Sequence, residues 1–356
     1  NEDIWQAIRA LRAAPPGLAS GDAERRAVFT SSLAQAQELS NASAVAGYAT
    51  RPLLLFYCLG QGLRAICAAM IEDDAWRVHG HGASVLTSSS AILATTVTPR
   101  SSIRPGRSRD ALSAIQTLQT CAPLVAPMTL SAVWNAVPQA PRLPEGASGD
   151  PHPVRVHLCP HKQHQEALVQ AGLVHLAIEG FDAEQGWDDL HAALVSYPSL
   201  ASGSPIEVAD LEPALAVAYS TDSAVPVFTS KYRIVDMSHY HPWLPHSPVL
   251  GWRVGANDPD AYMAKYAEIA PTGVADKEVV RLAFPAVGGS DRPDFLALGW
   301  VWMLSLSSLV RYEPASWVSA IDVDRSPLAV VLERVCDYAT TFIPATIHHF
   351  LTGEHE

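Results

Sequence analysis

The stretch RPLLLFYCLGQGLRAICAAMI, Arg51–Ile71, decides the fold. Phe56, Leu59, Leu63, Ile66, Cys67 and Met70 recur at helical spacing and mark an apolar stripe. Pro52 suits the first turn, where a missing N–H leaves no bond unmade. The other faces are also largely apolar, so the pattern predicts a helix central to the core. Burying one Leu or Phe side chain contributes ~1.5–3 kcal/mol. Such a helix therefore needs apolar partners on several sides.

The partners are legible at both ends of the chain. Upstream, Asp22 to Leu39 carries Val28, Phe29, Leu33 and Ala36 at helical spacing. Downstream, Pro293 opens a helix that reaches about Tyr312 and that Pro314 stops. Its most apolar window, 295–310, lies between Asp294 and Arg311 and is interrupted by Ser305, Ser307 and Ser308. A bilayer span takes about 20 apolar residues, so a buried core helix is expected and no membrane. Ser326 then caps a last helix with Pro327 in its first turn. Leu328, Val331, Leu332, Val335, Ala339 and Phe342 form its stripe, and Pro344 is expected to kink it before Ile347 and Phe350.

Between these helices the chain changes character. The segment 137–153 contains Pro138, Pro141, Pro144, Pro151 and Pro153 and reads as a linker or long loop. Val154, Val156 and Leu158 then alternate with polar neighbours, the period of a half-buried strand. Val225 to Met237 and Pro248 to Gly255 also read as strands. Trp76 to His81, WRVHGH, ends in a glycine turn, and Pro99 to Arg109, with Arg100, Arg104, Arg107 and Arg109, reads as a solvated loop. The expected fold class is mainly α, of the α+β kind. Residues 1–137 form a helical region, 138–153 a linker, 154–290 a mixed α/β region, and 291–356 a helical region packed on the first.

Composition bounds the function. Hydrophobic residues make up 48% and charged residues 17% of the 356, a globular balance. The net charge of −12 opposes a phosphate lattice, so no bulk nucleic-acid binding is expected. The five cysteines are scattered without CxxC spacing, which points to a reducing compartment, the cytoplasm. The chain has no P-loop, GxGxxG, GxSxG or HExxH, and no cofactor is expected. Whether it is an enzyme is left open.

Two stretches resemble the YaaC family of bacterial proteins. One is RPLLLFYCLGQGLRAI, Arg51 to Ile66, followed by HGHGAS from His79; the other is LSLSSLVRYEPASW, Leu304 to Trp317. Pro52, Phe56, Tyr57, His81, Gly82, Arg311, Tyr312, Pro314 and Trp317 stand in the family's motif positions. The resemblance implies a mostly helical intracellular protein and no particular reaction.

The candidate site is drawn from polar residues in these apolar helices. Tyr57, Gln61 and Arg64 fall at i, i+4 and i+7 and share one stripe. Arg311 and Tyr312 end the late helix, and His81 follows the early one. A guanidinium is rarely buried unpaired. Tyr57, Arg64, His81, Arg311 and Tyr312 are therefore expected around one polar cleft that takes a small anionic ligand through charge-assisted bonds. The structural alternative has each arginine capping helix carbonyls or pairing with Glu72, Asp73 or Glu313. Three residues separate Arg77 from His81, a closer spacing than that of the Arg/His pair of the HEPN nucleases. The runs His157-x-Cys159-x-His161-x-x-His164 and His239-x-His241-x-x-x-x-His246 hold metal-ligand residue types at no spacing with a known mechanism, so no metal is expected. The acidic surface and many tryptophans favour a regulatory component that meets a protein partner or a second copy of itself.

Overall fold

The computed structural model describes residues 2–353 apart from 101–102, 105–107, 120–121, 138–139, 159–172, 179–186, 202–203, 206–248, 255–257, 262–263, 266–271, 274–279 and 291–293. The chain divides into two compact units. Asn1–Asp150 and Val287–Glu356 form one; Pro151–Ala286 forms the other. The described residues are mainly helical with antiparallel strands, an α+β fold.

The first unit opens with helices α1 (Glu2–Ala13), α2 (Ala23–Val45) and α3 (Arg51–Met70). Each start has a chemical cause. The Asp22 carboxylate accepts from the backbone N–H of Glu24 and Arg25 at 2.8 and 3.0 Å and so caps α2. Pro52 occupies the first turn of α3. A short antiparallel sheet follows, with β1 (Ala83–Leu86) and β5 (Met128–Thr129) flanking β2 (Thr96–Pro99). Ile103–Arg104 (β3) pairs with Ser108–Arg109 (β4), so the arginine-rich stretch expected as a solvated loop contributes a hairpin. Helices α4 (Ala111–Leu118) and α5 (Leu130–Ala136) are capped by Asp110 and Thr129, which accept from Ser113 and Ala132 N–H.

The second unit is built on a six-stranded antiparallel sheet in the order β10-β11-β6-β7-β9-β8. These strands are β6 (Val154–Leu158), β7 (Leu173–Ile178), β8 (Ser204–Pro205), β9 (Val249–Arg253), β10 (Thr272–Gly273) and β11 (Val280–Ala283). Val156 lies opposite Ile178 on one side and Arg281 on the other, and Val156 and Ile178 are buried. Helices α6 (Trp187–Leu194) and α7 (Pro198–Ala201) are among its described elements; the Tyr197 hydroxyl donates to the His152 carbonyl at 2.5 Å. The strand expected over Val225 to Met237 lies outside the described residues; β9 falls within the stretch Pro248 to Gly255.

The chain returns to the first unit with α8 (Phe295–Tyr312), α9 (Pro314–Ala320) and α10 (Ala329–Thr352). Both α8 and α10 pack on α3. Leu59, Leu63 and Ile66 of α3, Val301 and Leu306 of α8, and Leu332, Ile343 and Ile347 of α10 are all buried in one core. Contact is close enough that a Cβ on Gly62 would collide with Ile347, and one on Gly299 would meet Phe342 at 2.8 Å. By length and composition α3 and α8 could each cross a bilayer, with mean hydropathy of 1.6 and 1.3, yet most of each is buried inside the unit. Pro344 does not divide α10, which continues to Thr352 and ends on Gly353 in the left-handed region at φ 73°.

Two buried arginines close the end of α3. Arg25 donates from Nη1 to the carbonyls of Ala68 and Ile71 at 3.2 and 2.7 Å and from Nη2 to that of Asp73 at 3.3 Å. Its guanidinium also lies 4.8 Å from the Trp76 ring centroid. These carbonyls carry the negative end of the helix dipole, which a cation stabilises. Arg109 donates to the Ala75 carbonyl at 2.9 Å, to Thr117 Oγ1 and to the Asp73 carboxylate. Arg109 thus corrects the sequence expectation of a solvated cation. Pairing of β4 beside Arg77 and His79 aims its side chain inward.

Candidate functional site

Residues 79–87 run past both α3 and α8. Gly80 and Gly82 have φ of 85° and 77°, and a Cβ on Gly82 would collide with Asp110, so only glycine lets the chain turn here. The turn is pinned at one end by Trp300 of α8, whose Nε1–H donates to the His81 carbonyl at 3.0 Å. At the other end Thr87 Oγ1 donates to the Glu313 carboxylate at 3.3 Å.

His81 is set against an aromatic ledge. Its ring is 5.3 Å from Phe56, edge-on, and 6.3 Å from Trp300; Phe56 and Trp300 are themselves 5.0 Å apart. Trp300 rests against Gly60 of α3, which leaves it room. The packed side of the imidazole loses water, and this is the first cause that moves its pKa below 6.5. Arg311, then Arg64, act next: both place positive charge close enough to oppose a proton on His81. His81 from the turn therefore lies within electrostatic reach of Arg64 from α3 and of Arg311 from α8.

The surroundings differ from the sequence expectation in one respect. The arginines and tyrosines do not line a buried cleft. Arg64, His81 and Tyr57 are exposed, Tyr57 at 42%, and Tyr312 is 66% exposed. All-round apolarity made every polar position of α3 look buried, but the helix keeps one narrow strip in water. Arg311 is half-buried and folds back on its own helix. Its Nε donates to the Ser307 carbonyl at 3.2 Å, Nη2 donates to Ser308 Oγ at 3.4 Å, and the guanidinium lies 5.0 Å from the Tyr312 ring. Gln61, on the Tyr57–Arg64 stripe, donates to Gln35 of α2 at 2.6 Å. Arg64 has no hydrogen bond or ion pair among the described residues.

The other candidates fall elsewhere. Arg77 is bound to Glu24 and lies 4.5 Å over the Trp76 ring, outside any helix. In the histidine runs, Cys159, His161, His164, His239, His241 and His246 lie outside the described residues, as does the side chain of His157. Among the described residues no group of three or more His, Cys, Asp or Glu side chains is placed to hold a metal ion. Phe56 and Trp300 are the contributors that polar-residue reasoning missed. As core positions of apolar helices they gave no sign in sequence of a link to His81.

The arrangement is a shelf: two guanidinium groups and an imidazole over an aromatic floor. The floor itself is closed to solvent, Phe56 and Trp300 being 1% and 3% exposed, so the shelf can receive an anion by charge-assisted hydrogen bonds. Neither the curated proteins nor the solved structures contain a match to the chain. Residues 11–99, which carry α2, α3, Tyr57, Arg64 and His81, are similar to the family model described as YaaC-like Protein, which matches about a quarter of the chain.

Proposed function

We propose that the chain is a YaaC-like sensor component of a bacterial assembly in the cytoplasm, which binds a small phosphate-bearing ligand on the shelf of Arg64, His81 and Arg311. The observation that carries this is the pressure of two arginines on one imidazole. The cluster concentrates positive potential on a protein whose net charge is −12. An incoming phosphate offsets that repulsion, and each charge-assisted bond it accepts contributes roughly 1.5–3 kcal/mol. The response it serves, defence or stress, belongs to the same proposal.

The test is a titration of His81 by NMR with a nucleotide panel and inorganic pyrophosphate, in wild type and Arg64→Gln. Arg64 is exposed, so its loss leaves the fold intact. The expected result is a ligand-dependent rise in the His81 pKa that Arg64→Gln diminishes. An unchanged His81 resonance at saturating concentration of every ligand refutes the proposal.

A second reading rests on a separate observation. Leu86 is 74% and Tyr312 66% exposed, and each neighbours one partner of the Thr87–Glu313 bond. Large apolar side chains left in water beside a cationic shelf favour a protein partner or second copy docked there. Light scattering of wild type and Leu86→Asp separates a self-associating chain, which dissociates on substitution, from a monomer that does not respond.

A further inference from the structure

A second concavity lies within the first unit, where the end of α4, the start of α8 and the end of α10 meet. Its volume is about 380 Å³, within the range of small-molecule sites. Phe295, Phe342 and Phe350 provide apolar walls, His348 and His349 line it, and the Asp294 carboxylate faces the same space. Phe342 is held in place by its contact with Gly299, and Phe350 by the His349 ring at 5.7 Å.

The charge arrangement selects the ligand. Asp294 caps α8, accepting from Ala297 N–H at 2.9 Å, so the positive end of the helix is already satisfied and offers little to an incoming anion. Burial pushes the Asp294 carboxyl above its usual range although the backbone N–H groups of Ala297, Leu296 and Phe295 favour its charged form, so what a ligand can add is a counter-charge. Among the described residues that line the space there is no Lys or Arg to provide one. A ligand cation would, and the ring walls fit a flat apolar body.

We propose that this pocket binds a small aromatic amine or amidine, with its ring among Phe295, Phe342 and Phe350 and its cationic nitrogen against Asp294. The site is separate from the His81 shelf and stands or falls independently of it.

Benzamidine is the probe, with benzoate as the counterpart of opposite charge, measured by calorimetry on the full chain. Two variants accompany the wild type. Asp294→Asn keeps a capping side chain of equal quality and removes the charge, and Ala345→Phe fills the space. Benzamidine is expected to bind wild type at least tenfold more tightly than benzoate. Asp294→Asn should weaken it about tenfold, near 1.4 kcal/mol, and Ala345→Phe should abolish binding. Absence of benzamidine binding to wild type at about 10 mM, equal affinity for benzoate, or unchanged affinity in Asp294→Asn each overturns the proposal. The comparison of two ligands on wild type needs no variant to fold.

Discussion

Replacing Arg25 by Met tests the account of how α3 is finished. The substitution keeps an unbranched apolar stem in a position that is 7% exposed and removes the guanidinium. Ala68 and Ile71 then lose the donor to their carbonyls, in a region closed to water. An orphaned buried acceptor costs about 1–3 kcal/mol, so two cost about 2–6. The helix dipole loses its cation, worth up to about 2 kcal/mol in partly buried geometry. Against this, folding no longer strips water from a charge, a saving of several kcal/mol. The balance is a net loss of about 2–4 kcal/mol. For a domain of this size that lowers Tm by roughly 5–15 °C. Thermal and urea denaturation followed by far-ultraviolet circular dichroism measures it, and Arg25→Lys should fall between, since it keeps the charge without the fork. A stability of Arg25→Met within about 1 kcal/mol of wild type would show that these carbonyls find other donors and that the reasoning is wrong.

Other outcomes follow from the same geometry. Gly62→Ala should cost about 1–3 kcal/mol by overpacking against Ile347, and a urea midpoint equal to wild type would mean that α3 and α10 are not in contact. His81 has its pKa lowered on folding, so the unfolded chain binds more protons in that range. Stability from neutral His81 is therefore complete above about pH 6.5 and declines as pH falls through the folded value, and His81→Gln should flatten that part of the stability profile. Burial pushes the thiols of Cys58, Cys67 and Cys336 up to about 12. Thiol reagents at neutral pH should label these three only at the rate of unfolding, and rapid labelling of the native chain would contradict their burial.

The long helices were legible because each repeats its apolar residues over several turns, and α3 and α8 announce that they need each other. The strands β1 to β5 were not, since two to four residues are too few to establish a period of two. Arg25 gave no sign in sequence. It stands among polar residues of α2, and only the arrival of the α3 end over it makes that position interior. Of the candidate site, the residues were readable as the polar positions of apolar helices, and Arg64 and Arg311 each place charge near His81 although 230 positions separate His81 from Arg311. Its exposure was not, because a helix apolar on nearly every side conceals which strip remains wet.

The first unit is completed only by chain made after the second. The partners α8 and α10 leave the ribosome more than two hundred residues after α3. At about 5–20 residues per second, the wait is on the order of ten to forty seconds. Through that interval the more hydropathic of the two central helices has α2 on one flank and no final cover on the others. Synthesis order thus sets a kinetic demand that the finished structure conceals: α3 waits with part of its apolar surface uncovered until residues 287–356 arrive.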